Sequence, residues 1–173
     1  DSRGRCAPPP GTSVADACAS AWLRGHSTII ERQPHRAAVL LDASPGSRIE
    51  RNAICADTDE DRSLASIRIR GDASGMLIRG NSIDSAAQLD APGTTLHFEA
   101  CGEAAPWVVD NPTIAMHARS GDLLAAIRAE GGCHPVIDSN DSIVVHIEFS
   151  ELIVEALACA GRCVISNNSG IAT

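Results

Sequence analysis

The sequence predicts an all-β fold, a parallel β-helix (solenoid) of about five coils with about 28–30 residues each. Two observations predict it. A phrase of the form Ile/Val-x-x-Asn recurs, and its asparagines are Asn52, Asn81, Asn111, Asn140 and Asn168. A second set of positions, all apolar, recurs with nearly the same period, and we call it the apolar column: Leu40, Ile69, Phe98, Ile127 and Leu157. Two columns that share one period indicate a repeat architecture.

The repeating units are predicted to be strands, because polar and apolar residues alternate in "SIRIRGD" (66–72) and "TLHFEAC" (95–101). We expect two strands per repeat, with equivalent residues of successive coils stacked about 4.8 Å apart. The apolar column would then be buried in one inward stack. The asparagines would form a structural ladder at a sharp bend, where Asn tolerates left-handed backbone angles and bonds the neighbouring coils.

The repeats predict two regions. Residues 1–35 are expected to be an N-terminal loop or an irregular, capping coil, and residues 36–173 to be β-helix repeats from a longer solenoid. The ends of an uncapped solenoid expose sheet edges, which would permit edge-to-edge association.

Three phrases, "IRGN.I", "CHPVIDSN..I" and "CVISNN.GI", resemble the right-handed parallel β-helix repeats of the pectin-lyase-like superfamily. They are most similar to uncharacterised repeats of secreted bacterial surface proteins and lipoproteins, over roughly residues 36–173. The resemblance implies a single-stranded, right-handed β-helix that is secreted or attached to the surface of a bacterial cell. It does not specify a function, because the superfamily includes lyases, hydrolases, epimerases, adhesins and inert scaffolds.

Enzymes of this superfamily carry phrases that are absent here, namely Asn-Thr-Asp, Asp-Asp, Gly-His-Gly and Arg-Ile-Lys. The last cannot occur, because the chain contains no lysine. We therefore predict no catalytic residues and a non-enzymatic scaffold module for adhesion or glycan contact. The alternative is a fragment of a polysaccharide lyase or glycoside hydrolase whose catalytic coils lie elsewhere.

One outward wall is the candidate surface for a glycan. Its residues are Arg68, Arg70, His97, Glu99 and Arg128. Arg70, Glu99 and Arg128 are equally spaced, one repeat apart, so neighbouring rungs would alternate in charge. Such a wall could line a groove for an acidic sugar. The pattern favours the alternative, cross-strand ion pairs that contribute roughly 0.2–1 kcal/mol each.

We predict no metal site and no cofactor. His117 and His146 are one repeat apart and should stack on an outward face, but no third ligand is evident. In "DTDEDR", Asp57, Asp59 and Asp61 alternate as in a calcium loop. The segment lacks the glycine and the final glutamate of an EF-hand loop, so a solvated acidic turn is favoured over a Ca²⁺ site.

Charge and hydropathy argue against nucleic-acid binding and against a membrane-spanning segment. The net charge of −8 at pH 7 argues against nucleic acid, and no apolar run approaches the ~20 residues of a membrane span. A polysaccharide or cell-surface glycan is the expected partner. No signal peptide is visible in this chain.

The seven cysteines favour an oxidising compartment. The sequence does not distinguish between three possible disulfides, Cys101–Cys133, Cys133–Cys163 and Cys159–Cys163. The firmer prediction is that Cys133 lies within one coil, under about 10 Å, of Cys101 or Cys163.

Overall fold

Eighteen strands in three parallel sheets make up the regular structure of the described residues. The computed structural model describes residues 15–17, 22–24, 28–31, 37–43, 45–58, 64–87, 93–101, 105–118, 124–147, 154–160 and 163–172. The chain visits the three sheets in turn, and each passage through them is one coil. The predicted parallel β-solenoid is therefore confirmed.

We name the sheets A, B and C. Sheet A contains β1 (Ala15–Ala17), β4 (Val39–Asp42), β7 (Leu64–Arg70), β10 (Gly93–Glu99), β13 (Leu124–Glu130) and β16 (Val154–Cys159). Sheet B contains β2 (Trp22–Arg24), β5 (Arg48–Glu50), β8 (Leu77–Arg79), β11 (Trp107–Val109), β14 (Val136–Asp138) and β17 (Val164–Ser166). Sheet C contains β3 (Thr28–Glu31), β6 (Ala53–Thr58), β9 (Ser82–Ala87), β12 (Thr113–Ala118), β15 (Ile143–Ile147) and β18 (Ile171–Ala172).

Each coil contains three strands, so the prediction of two was wrong. The Asn phrase does not form one strand, because it spans a short strand of sheet B, a bend, and a strand of sheet C. Five coils, from β4 to β18, each carry one of the repeated asparagines. Strands β1, β2 and β3 pair with β4, β5 and β6, so the three sheets continue into residues 15–17, 22–24 and 28–31.

The repeated asparagines form a hydrogen-bonded row through the corner between sheets B and C. From Asn81 to Asn168, each side-chain Oδ1 accepts bonds from the backbone N–H and the Nδ2 of the ladder asparagine in the preceding coil, as Asn111 does from Asn81 at 2.9 and 3.2 Å. Its Nδ2 donates to a carbonyl of that coil, and Asn111 reaches Ile78 at 3.1 Å. The same pattern continues through the row to Asn168. The predicted asparagine ladder is confirmed.

The left-handed backbone at this corner belongs to the residue before each ladder asparagine, and not to the asparagine itself. These residues are Arg51, Gly80, Asp110, Ser139 and Asn167, with φ between 52° and 66°. The prediction that the asparagines adopt left-handed angles was therefore wrong. Each asparagine instead serves the fold with its side-chain amide, which satisfies buried backbone groups of the neighbouring coil.

Two inward ladders in sheet A form much of the core. The first contains Leu41, Ile69, Phe98 and Ala129, and the second contains Val39, Ile67, Leu96, Ile127 and Leu157. Four members of the predicted column are thus divided between them, with Ile69 and Phe98 in the first ladder and Ile127 and the partly buried Leu157 in the second. Burial is confirmed for Ile69, Phe98 and Ile127, which are 0% exposed. It is wrong for Leu40, which is partly exposed and pairs with the outward Arg68.

Unequal coil lengths cause this division. The coil that leads from Phe98 to its partner Ala129 is longer than the coil that leads from Leu41 to its partner Ile69. Residues chosen at a constant spacing therefore move out of register by one or two positions along sheet A, whereas the asparagines stay in register. A drift of two positions keeps a side chain on its original face but moves it to the adjacent ladder.

Candidate functional site

The predicted glycan-facing residues do lie together on the outer face of sheet A. We call this surface the polar wall. It consists of Asp42, Arg68, Arg70, His97, Glu99, Arg128 and Glu130. These residues occupy two adjacent ladders on four successive strands, β4, β7, β10 and β13. Alternation places them opposite the buried residues of the same strands.

The order of charges in the ladders differs from the prediction. Arg128 lies in register with His97, and not with Glu99 as expected, because the coil between them is longer than the average period. One ladder therefore contains Arg68, His97 and Arg128. The other contains Asp42, Arg70, Glu99 and Glu130. The prediction that positive and negative side chains alternate from coil to coil was therefore wrong.

Sequence reasoning missed two acids of the polar wall. Asp42 and Glu130 both lie in its second ladder. Each stands two positions beyond a first-ladder position, since Asp42 follows Leu40 and Glu130 follows Arg128. Period-2 alternation applied to the correct register would have found both.

Ion pairs join the two ladders. Arg68 Nε lies 3.4 Å from Glu99 Oε1, and Arg128 Nη1 lies 3.6 Å from Glu130 Oε1. A third pair lies within the second ladder, where Arg70 Nη2 donates to Asp42 Oδ2 at 2.9 Å. Three guanidinium groups thus face three carboxylates. The wall is close to electrically neutral and presents many planar hydrogen-bonding groups.

His97 lies at the centre of this network. Its Nδ1 is 3.3 Å from Glu99 Oε1, its Nε2 is 3.7 Å from Glu130 Oε1, and only 12% of its side chain is exposed. Burial lowers the pKa of His97 below its ordinary value, and Arg68 and Arg128 lower it further. Glu99 and Glu130 each oppose this lowering of the pKa, and each has a smaller effect than burial. The folded protein therefore favours the neutral imidazole.

This lowered pKa predicts a loss of stability in mild acid. Below about pH 6.5 the unfolded chain binds a proton at His97 that the folded protein does not yet bind. The free energy of unfolding should therefore fall as the pH drops through this value, until the lower pKa of folded His97 is reached. Urea midpoints measured from about pH 7.5 to about pH 5 should show this dependence.

The control for this prediction is a pair of variants. His97→Gln should reduce the pH dependence of the urea midpoint, whereas His134→Gln, at a partly exposed position outside the strands, should retain it. Equal pH profiles for the wild type and His97→Gln would refute the assignment.

The two predicted stacked histidines are confirmed on the outer face of sheet C. His117 and His146 are in register on β12 and β15, with ring centroids 4.8 Å apart and an interplanar angle of 19°. Asp84 Oδ1 approaches His117 Nε2 at 3.5 Å. In the part of the chain that the structure describes, no three His, Cys, Asp or Glu residues are grouped to hold a metal ion.

Only part of the acidic segment that was considered as a calcium loop lies within the described residues. Asp57 lies in β6, but its side chain, Asp59 and Asp61 lie outside them. The preference for a solvated acidic turn stays a prediction.

Disulfides join neighbouring turns of the solenoid. Cys101 and Cys133 are bridged with Cα atoms 4.8 Å apart, which confirms that Cys133 lies within one coil of Cys101. A local bridge also joins Cys159 to Cys163. Of the three pairings left open, the structure therefore contains two. Cys55 is also disulfide-bonded.

Sheet B presents a different surface. Trp107 is 50% exposed on its outer face, in register with Leu77 and Val136. Nearby, Arg79 Nε donates to Asp110 Oδ2 at 3.0 Å. This ion pair resembles the Arg70–Asp42 pair in length and exposure, but it lies on another wall.

The fold and these surfaces define a parallel β-solenoid with a neutral, hydrogen-bonding wall. Comparisons with protein-family models, curated proteins and solved structures found no match to this chain. A search of the described residues for a helix long and apolar enough to cross a membrane found none.

Proposed function

We propose that this protein is a non-enzymatic scaffold that is secreted or attached to the cell surface, and that its polar wall contacts a glycan. The resemblance of its repeats to the pectin-lyase-like superfamily belongs to the same proposal. The ligand is a polysaccharide lying across successive rungs, as an adhesive module would hold it.

The observation that carries this proposal is the composition of the polar wall. Guanidinium and carboxylate groups are planar and form directional hydrogen bonds, which suits them to the adjacent hydroxyl groups of a sugar. Asp42, Arg70, Glu99 and Glu130 are accessible, with between 33% and 62% of each side chain exposed. Because the wall compensates its own charge, we propose a sugar rich in hydroxyl groups instead of the acidic sugar first considered.

The rigidity of the wall supports the same function. Every wall residue stands on a strand whose inward side chains are buried, so its position is set by the solenoid and not by a mobile loop. Binding therefore requires little additional ordering of the protein.

The cysteines support the proposed location. Two disulfides lie within the described coils, and Cys55 belongs to a third. Bonds of this kind persist in oxidising environments such as the bacterial periplasm and the cell exterior.

The test is binding to a panel of immobilised neutral and acidic polysaccharides, with and without Ca²⁺. We expect a neutral polysaccharide to bind without Ca²⁺. Arg70→Ala should weaken its binding by about threefold to tenfold, which is the effect of losing roughly one hydrogen bond. Arg79→Ala removes the matched ion pair on sheet B and should leave binding unchanged.

Two results would contradict the proposal. Equal losses in Arg70→Ala and Arg79→Ala would exclude the polar wall as the contact surface. Binding of acidic polysaccharides alone would exclude the ligand class. Release of new reducing ends during incubation would instead favour the alternative, a fragment of a polysaccharide lyase or glycoside hydrolase.

A further inference from the structure

The stacked histidines of sheet C present two metal-ligating groups on adjacent strands. His117 and His146 occupy the same register position of β12 and β15. His146 is exposed, and 36% of the His117 side chain is accessible. Their ring centroids are only 4.8 Å apart. Both rings can therefore turn toward one solvent-accessible point without disturbing the core.

Asp84 can fix the orientation of the His117 ring. It lies on β9, so it approaches His117 from the side opposite to His146. Its Oδ1 is 3.5 Å from His117 Nε2. In metal sites, a ligating imidazole commonly donates its second ring N–H to a carboxylate, which fixes the tautomer and increases the basicity of the ligating nitrogen. A bond from Nε2–H to Asp84 would leave Nδ1 of His117 as the ligating atom.

We propose that His117 and His146 together bind one divalent transition-metal ion, with Asp84 as the carboxylate that orients His117. Imidazole nitrogens suit Zn²⁺, Ni²⁺ and Cu²⁺, and they do not suit Ca²⁺ or Mg²⁺, which prefer oxygen. Metal–nitrogen distances of about 2.0–2.1 Å require a small rotation of each exposed ring from the stacked position. Water completes the coordination, because Asp84 and His146 lie on opposite sides of β12.

This site is independent of the proposed glycan contact. The polar wall is on sheet A, whereas the two histidines are on sheet C. Loss of metal binding would therefore not bear on the glycan proposal, and loss of glycan binding would not bear on the metal site.

The test is calorimetric titration of the full chain with Ni²⁺ or Zn²⁺ in a buffer that does not bind metals. Free thiols are alkylated beforehand, because seven cysteines cannot all pair within one chain. We expect one equivalent to bind, and no heat from Mg²⁺ or Ca²⁺. His117→Ala and His146→Ala should each weaken binding at least tenfold, and Asp84→Ala by about tenfold, as for other outer-shell carboxylates.

Matched controls are His134→Ala and Asp141→Ala, which should bind as the wild type does. In nuclear magnetic resonance spectra, Ni²⁺ or Zn²⁺ should shift or broaden the ring signals of His117 and His146 and leave those of His97 unchanged. Either the absence of saturable binding or full binding by the double variant His117→Ala/His146→Ala would overturn the proposal.

Discussion

Replacing Asn111 with leucine is expected to lower the free energy of unfolding by about 3–6 kcal/mol, because it leaves two or three buried polar groups without partners. Asn111 is 0% exposed. Its Oδ1 accepts from the backbone N–H and Nδ2 of Asn81, and its Nδ2 donates to the Ile78 carbonyl and to Asn140. Leucine has the branching and the number of side-chain non-hydrogen atoms of asparagine but is bulkier, so the loss combines missing hydrogen bonds with tighter packing. Urea denaturation followed by circular dichroism provides the measurement.

The control for the ladder is the same substitution at its last member. Asn168 is partly exposed and accepts bonds only from Asn140 within the ladder. Because Asn168 is partly exposed and, unlike Asn111, donates to no further ladder asparagine in the described residues, Asn168→Leu should lose less stability than Asn111→Leu. Equal losses in the two variants would show that the ladder bonds do not hold the interior coils together.

Phe98→Ala is expected to destabilise the protein by about 3–5 kcal/mol, because it creates a cavity that the surrounding rungs cannot fill. Phe98 is 0% exposed and lies between Ile69 and Ala129 in its inward ladder. The small Ala129 provides little volume with which to close the gap. Both neighbours are held by parallel strand pairing, which limits their movement toward the cavity.

Phe98→Ile tests whether the effect comes from volume. It repeats the side chain of Ile69 one rung away and should cost less than Phe98→Ala, about 1–2 kcal/mol. If both variants lost the same free energy of unfolding, the aromatic ring would have a role other than filling the core. Thermal unfolding by calorimetry would provide a second measure of each loss.

Function was predictable to a lesser extent than fold. The residues expected on the candidate wall do share one outer face, since alternation along a strand decides inward from outward. Which wall residues contact one another was not predictable. Arg128 contacts Glu130 and lies in register with His97, because the coil between Phe98 and Ala129 is longer than the average period.

The sequence by itself determined the parallel solenoid, the asparagine row and the stacking of His117 on His146. A residue repeated once per coil must lie above its equivalent when the intervening coil has nearly constant length. The row from Asn52 to Asn168 has steps of 28 to 30 residues. Its hydrogen bonds also hold the corner in register, so modest changes elsewhere in a coil do not displace it.

Only the tertiary structure decided the third strand of each coil, the left-handed residue before each asparagine, the register of sheet A and the choice of cysteine bridges. These features depend on how each coil distributes its residues among three strands and the connections between them, and the total length of a coil does not specify that distribution. Cys101 and Cys133 are 32 residues apart, which is more than the repeat period. They still lie on adjacent coils, because the coil that joins Phe98 to Ala129 is longer than the average period. Strand pairing and core packing fix such a register together, and neither is local in sequence.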